Sequence, residues 1–419
     1  MYIAVVRPGE TLPGLAGRVG ATTAQLQSLN GLPSEAITAG QAILVPSTRY
    51  VVQPGDSLWH VAELSGVPLP ILQRANPGSR RSLFPGRVLR IPVPQKQRAE
   101  VIGYLPLTDP GVTAADITPW ARELTWVAIF SHLITPEGNL PPINDTEAIR
   151  AVYAAGARPL MSIANMRQGG AFDPEIARAI ITDRTVRANV INGIISRITE
   201  KGYAGVDSDI ENIPRDLREG YVDFLRELKE RLGDRPLNVA VPPKYDETTF
   251  GYARGHDYAG IGRVADRVYI MNYEFHWVGG PPGPVAPLPE TRRVLLYAAS
   301  LIPKGKILGG ISTTAYDWEI PDTPENKARP WPDDDAVQIA VRNQVAIRYN
   351  EAAETPWFRY TEANRHREVW FEDARSIMAK FRIDRELGIG GIGIWHLGAV
   401  NSQLIALIDY FFNVVRTGT

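Results

Sequence analysis

Eight short apolar runs punctuate the C-terminal three quarters of the chain, at residues 101–107, 126–131, 159–164, 205–211, 237–241, 267–273, 307–311 and 390–395. Runs of this length, bounded by turn residues, read as strands buried on both faces. Longer stretches with helical periodicity lie between most of them, at 146–155, 174–201, 215–232 and 290–301. In 215–232, for example, Leu217, Tyr221, Phe224, Leu225 and Leu228 recur on one side of a 3.6-residue repeat. Strand and helix in alternation predict an α/β fold, a (β/α)8 TIM barrel, with a doubly wound open sheet as the alternative. No Gly-x-Gly-x-x-Gly or Walker pattern follows the first run, which argues against the dinucleotide-binding form of the open sheet. The interval between the seventh and eighth runs is too long for one helix. Residues 316–372 therefore read as a small α+β insertion over one side of the barrel mouth: a Pro- and acid-rich loop at 319–335, a helix at 336–349, and strand-like 358–361 and 368–371. A helix at 373–381 resumes the barrel.

The first ninety residues repeat themselves. Arg7-Pro-Gly-Glu-Thr-Leu12 returns as Gln53-Pro-Gly-Asp-Ser-Leu58, Asn30 as Asn76, Gly40 as Gly86 and Pro46 as Pro92, each pair 46 positions apart (53 − 7, 76 − 30, 86 − 40, 92 − 46). A fixed offset means two copies of one unit. In each copy a β-like run precedes Pro-Gly-Glu/Asp-Thr/Ser, whose hydroxyl caps a helix; a second helix and a closing strand follow. Two βααβ modules, 1–47 and 48–94, thus precede a third unit at 95–419, with polar residues 94–100 as connector.

Composition narrows the partners. The 419 residues are 44% hydrophobic and 22% charged with a net charge of −1, which leaves no electrostatic footprint for nucleic acid or an anionic membrane. The absence of cysteine excludes disulfides, thiolate catalysis and cysteine-based zinc sites. The six histidines show no ligand spacing, no Gly-x-Ser-x-Gly elbow occurs, and neither metal nor cofactor is expected. The first residues lack a basic start followed by an apolar core, and no run of about 18 apolar residues follows; the expectation is a monomer with neither secretory signal nor membrane span.

Against that neutral background one stretch stands out, Gly205-Val-Asp-Ser-Asp-Ile-Glu211. Asp207, Asp209 and Glu211 alternate with apolar or small residues, and a strand sends alternate side chains to one face, about 6–7 Å apart. Carboxylates so close disfavour one another's ionisation, which is how a site keeps one acid protonated beside a charged one. A solvated strand face or a metal-binding loop is the plain alternative. The position decides between them: the C-terminal end of a strand in a β/α repeat is where such barrels carry their chemistry.

Each part of the chain also resembles a known family. Pro54-Gly-Asp-Ser-Leu58, Asn76 and Gly86-Arg-Val-Leu-Arg-Ile-Pro92 are similar to LysM modules, which implies binding to N-acetylglucosamine glycans such as peptidoglycan or chitin; the first copy departs at Leu12-Pro13, where the second has Leu58-Trp59. Ala204 to Glu211 resembles the Asp-Gly-x-Asp-x-Asp-x-Glu signature of glycoside hydrolase family 18, with Ala204 in place of the first Asp. Tyr269-Ile-Met-Asn-Tyr-Glu274 resembles that family's Met-x-Tyr-Asp, with Glu274 for Asp, and Gly393-Ile-Trp395 its floor tryptophan. With Tyr316-Asp-Trp318 and Trp370 to Ser376, the whole is similar to spore-cortex-lytic N-acetylglucosaminidases. The resemblance implies Glu211 as general acid and base, Asp209 as the acid holding the substrate's acetamido group, Asp207 as its support and Tyr273 as a donor to the acetamido oxygen. It implies Trp395 under the sugar, with Glu274, Asn165 and Tyr104 lining subsites. It further implies cleavage after N-acetylglucosamine, in the spore coat or cell wall, by a chain cytoplasmic at synthesis. Chitin as substrate, or a non-catalytic lectin, are the alternatives.

Overall fold

A computed structural model describes residues 1–416 except 80–81, 108–113, 168–169, 249–250, 322 and 324–326. The eight apolar runs become Gln97–Pro106, Trp126–Leu133, Arg158–Ala164, Gly205–Asp209, Leu237–Val241, Arg267–Ile270, Ile307–Ser312 and Gly391–Trp395, each parallel to the next. The pairing of Gly391↔Glu100 through Ile394↔Gly103 joins the last strand to the first. This closure makes the sheet a barrel and disposes of the open-sheet alternative. The connector's second half, expected to be irregular, is the start of the first strand, where Phe412–Val414 adds a further parallel partner.

Alternation along each strand divides the apolar residues between two cores. Val206 and Ile210 face outward into the layer between strands and helices, alongside Tyr221, Phe224 and Leu228. The inward set, including Ile102, Tyr104, Trp126, Leu160, Tyr269 and Leu308, fills the barrel itself. Ser208, whose Oγ lies 3.1 Å from the hydroxyl of Tyr221, confirms that the residues between the acids point out to the helices. Asp207 and Asp209 therefore point in.

Further expectations are revised, among them the helix at 336–349, which is a helix at Asp333–Arg342 followed by a strand at Arg348–Asn350. The single helix at 174–201 is two, Pro174–Thr182 and Arg184–Lys201, because Asp183 turns extended and its carboxylate accepts from the amides of Thr185 and Val186, capping the second. The stretch 319–335 is only partly loop. Thr314–Ile320 and Arg329–Pro332 are antiparallel strands of a five-stranded sheet completed by Arg348–Asn350, Thr355–Glu362 and Arg365–Trp370 and covered by the helix Asp333–Arg342. Proline and acids hid this strand from a composition-based reading.

Each N-terminal module pairs its two strands antiparallel, Tyr2–Val5 with Ala42–Val45 and Arg49–Val51 with Val88–Arg90, and Thr11 and Ser57 cap the first helices by accepting from Gly14 and His60 amides. Both modules rest on the barrel. Gln403 donates to Asn30 Oδ1 at 2.9 Å and to the Ala42 carbonyl at 2.8 Å in the first, and Arg382 pairs with Glu63 in the second. Among the described residues no helix is long and apolar enough to cross a membrane.

Candidate active site

The row of acids rises from the barrel interior to its mouth. Asp207, fully buried, accepts from Tyr104 Oη at 2.9 Å, from Ser162 Oγ at 2.7 Å and from Asn238 Nδ2. Burial pushes its carboxyl up to about 6 in spite of those three donors. Asp209 is 4% exposed, and its Oδ1 has no hydrogen-bond partner among the described residues. Burial, then the charges of Glu211 and Asp207, hold it well above the usual carboxylate range. Glu211, partly exposed, is raised to about 8 by burial and by the neighbouring Glu274 charge. Burial leads in all three; neighbouring charges add to it at Asp209 and Glu211, and the three donors oppose it at Asp207.

The strand stops two residues before Glu211, and a side chain carries the ladder on. Asn165, immediately after the third strand, accepts from the Glu211 amide at 2.9 Å and donates to its carbonyl at 3.0 Å, with a further bond to the Asp173 carbonyl at 2.9 Å. Its carboxamide imitates a backbone peptide pairing with Glu211. The same device recurs on the other side of the barrel, where Asn272 accepts from Gly310 N at 2.7 Å and donates to Gly310 O at 3.0 Å, extending a sixth strand that ends at Ile270 rather than at 273. Asn165 has no exposed surface and Tyr104 is 1% exposed; Tyr104 supports the row from its base at Asp207, and Asn165 holds its outer end at Glu211.

Aromatic residues make the floor. Tyr104 stacks on Tyr269 with ring centroids 4.9 Å apart, and Trp395, partly exposed, lies 5.9 Å from Tyr104 and meets Phe130 edge-on at 5.1 Å. Tyr269 donates its hydroxyl to that of Tyr273 at 2.8 Å. Glycine is required opposite these rings: a Cβ at Gly393 would lie 2.1 Å from the Tyr269 ring and one at Gly310 2.8 Å from that of Tyr273. Thr313 fixes the tryptophan, its amide donating to the Trp395 carbonyl at 2.7 Å and its hydroxyl accepting from His396 N at 2.9 Å. Glu274 adopts a left-handed backbone, φ +58°, and accepts from Tyr316 Oη of the insertion at 2.7 Å. Residues in that region are uncommon outside glycine and gather at functional sites. Trp277 and Tyr252 stand exposed on the loops after the sixth and fifth strands.

Sequence reasoning missed Ser162, Asn238 and Thr313, and it gave no role to Asn272 or Tyr316, although both lie in stretches that carry the resemblance. Asn238 carried a signal, a lone amide inside the apolar strand Leu237–Val241, and so did Ser162 at an inward position of the third strand. Nothing in the local pattern tied Tyr316 to a residue 42 positions away. Among the described residues no group of three or more His, Asp or Glu side chains is arranged to hold a metal ion.

The family model for glycosyl hydrolases family 18 matches residues 127–399, which include every acid of the row and the floor tryptophan. The chain belongs to this family. The hydrolase also matches the LysM domain model twice, at 4–46 and 50–92. It is similar to the cortical fragment-lytic enzyme of Bacillus subtilis, with 34% identity over 430 residues, 99% of each chain. Its fold matches the crystal structure of the Bacillus cereus spore cortex-lytic enzyme SleL with a TM-score of 0.91 and 32% identity, covering 100% of this chain and 99% of that one. The Bacillus megaterium QM B1551 enzyme of the same description gives 0.85 at 32% identity, over 99% of both.

Proposed function

We propose that this hydrolase cleaves the β-1,4 bond following N-acetylglucosamine in spore-cortex peptidoglycan, with retention of configuration and with the substrate's own acetamido group as nucleophile. The observation that carries the reading is the end-to-end match, both modules included, to cortex-lytic enzymes, joined to an acid row whose outermost member is raised to about 8. An acid that keeps its proton at neutral pH is what protonation of a glycosidic oxygen needs.

In this scheme Glu211 gives its proton to the leaving oxygen as the acetamido carbonyl oxygen attacks the anomeric carbon; Glu211 then takes a proton from the water that opens the cyclic intermediate. Asp209 orients and charge-stabilises the acetamido group. Support comes from its buried Oδ1, an acceptor that no described residue uses and that the acetamido N–H can. Tyr273 donates to the acetamido oxygen, and Trp395 stacks under the ring and excludes water. Asp207 and Tyr104 hold the base of the row and Asn165 its top, each acting through the acids, while Glu274 lines the subsite beside Glu211. The site of action is the cell wall or spore cortex, with deposition in the spore coat the finer expectation.

Mass analysis of fragments released from purified spore cortex, vegetative wall and chitin tests the reading. Cortex fragments ending in reducing N-acetylglucosamine are expected. Fragments ending in reducing muramic acid would overturn it, and so would chitin as the only material cut.

A further inference from the structure

Backbone pairing of the fourth strand stops at Ala164↔Asp209 on the side of the third strand and at Ser208↔Val239 on the side of the fifth. Glu211 lies beyond both. Toward the third strand Asn165 takes over, pairing with the Glu211 amide and carbonyl. Toward the fifth, the residue before the acid meets a histidine: His256 Nε2 lies 2.9 Å from the Ile210 carbonyl oxygen. A carbonyl oxygen only accepts, so Nε2 carries the hydrogen and donates it, and the other nitrogen of the neutral ring is left as a bare acceptor. That nitrogen, Nδ1, is buried with no hydrogen-bond partner among the described residues. The ring's one bond therefore fixes its tautomer, and that bond goes to the backbone of the acid row.

The surroundings keep the ring in place and uncharged. His256 has no exposed surface, and Lys244, equally buried, donates to the His256 carbonyl at 3.0 Å and to Glu247 Oε1 at 3.1 Å. The Lys244 ammonium lies 5.4 Å from the centre of the Tyr258 ring. Tyr221 meets the imidazole edge-on with centroids 5.7 Å apart, and its hydroxyl meets that of Ser208, between the two inner acids. A Cβ on Gly255 would lie 2.2 Å from the Ile213 carbonyl oxygen, so the stretch carrying the ring presses on the segment just past Glu211. That segment needs holding, because Asn212 turns left-handed at φ +55°, a region uncommon outside glycine that persists where its surroundings impose it. Burial first, with the Lys244 charge adding to it, pushes the imidazole down to about 4. The donor is thus unchanged across the range in which a carboxyl raised to about 8 loses its proton.

We infer that His256 is a positioning residue for Glu211: its Nε2–H fixes the Ile210 carbonyl while Asn165 fixes the peptide groups of Glu211 itself, and the two side chains aim the carboxyl from opposite sides. The role of Glu211 as the acid rests on the reading proposed above; the hold on Ile210 does not. A histidine that only fills the core supplies volume, and an apolar residue of similar size serves there as well. A histidine that positions the acid supplies one N–H at one place. Substitution separates the two.

The test follows the Glu211 carboxyl by carbon-13 NMR in the full chain with labelled glutamate side chains, its signal assigned by loss in Glu211→Gln, alongside kcat and KM on soluble cortex fragments. His256→Leu keeps the volume and removes the donor. It should let the carboxyl swing into water, lowering its titration midpoint by about one pH unit or more. It should also lower kcat about tenfold with KM within about twofold. His256→Gln, whose amide nitrogen reaches the place of Nε2, should recover most of both, and His256→Asn, whose amide stops at the place of Nδ1, should not. Thermal melts identify a variant that fails to fold; if His256→Leu does, His256→Gln against His256→Asn decides. A midpoint and a kcat unchanged in His256→Leu, or equal in His256→Gln and His256→Asn, would overturn the inference. A parent inactive on cortex fragments would sink the proposed reaction alone, since the titration still reads the hold on the acid.

Discussion

Two groups of buried carboxyls in this hydrolase are protonated more readily than usual, and they have opposite uses. In the barrel, Asp207, Asp209 and Glu211 climb toward an aromatic floor and the last is partly exposed. Outside the barrel, Glu372, 2% exposed, is bonded to Lys380 Nζ at 2.7 Å, and Asp333, 1% exposed, accepts from the Glu372 amide at 3.0 Å and from Asn401 Nδ2 at 2.9 Å. Burial is the leading cause of the raised values in both groups. A perturbed carboxyl therefore reports desolvation, and only the surroundings say whether the proton has anywhere to go. Around Asp333 and Glu372 the partners are a lysine, an amide and the backbone. Around Glu211 they are another acid and a row of rings.

The contrast is broken most forcefully at Glu211. Glu211→Gln should lower turnover by about 10²- to 10⁴-fold with binding retained, and Asp209→Asn nearly as much, measured on soluble cortex fragments. Neither should cost stability. Glu211 keeps its proton up to about 8 in the folded chain against 4.5 ordinarily, so the stability this proton confers is complete below about 4.5 and drains away as pH rises toward 8, a loss that Gln abolishes. A normal rate in either variant would mean that the wrong acids are assigned. Glu372→Ala is the mirror image. It leaves the ammonium of Lys380, itself 2% exposed, buried without its partner, a loss of about 3–5 kcal/mol in a denaturant melt, while the folded fraction keeps its turnover. Loss of rate without loss of stability there would collapse the distinction between the two groups.

Asn165→Ala falls between these, because Asn165 is structural in its contacts and catalytic in what it holds. Removing the amide leaves the Glu211 N–H and C=O without their partner, a cost of about 1–3 kcal/mol, and frees the acid to move. Stability and kcat should fall together, with KM little changed. A fall in stability alone would show that Glu211 is held well enough by the chain around it.

What the amino-acid sequence disclosed follows from which features are local. The duplication was legible because a fixed offset survives divergence, and the barrel because eight apolar runs must alternate with helices to bury both faces. The facing of Asp207 and Asp209 was legible because alternation along a strand is a two-residue property. The ladder that Asn165 builds to Glu211 was not, since it spans 46 residues and replaces a strand pair with a side chain. Tyr316 reaching Glu274 was hidden likewise, at the start of an insertion, just before its expected loop, where it pairs with Trp370 in a sheet.

The finest test of the contrast lies in Glu274, which makes the surroundings of Glu211 acidic where those of Glu372 are basic. After burial, the Glu274 charge is the cause that lifts Glu211 to about 8. As general acid Glu211 must carry its proton, so kcat/KM should hold below about pH 8 and fall roughly tenfold per unit above it. Replacing a negative neighbour by a neutral one removes a reason to keep the proton, and Glu274→Gln should move this alkaline limb to lower pH. Tyr316 stabilises the ionised form of Glu274 through its hydrogen bond, so Tyr316→Phe should let Glu274 take up a proton more easily and shift the limb in the same direction by less. In the double variant there is no carboxylate left for the tyrosine to hold, and the shift should equal that of Glu274→Gln alone. Full additivity would show that Tyr316 acts on the acid by some route other than Glu274, and a limb that stays in place in all three would show that burial alone sets the proton on Glu211.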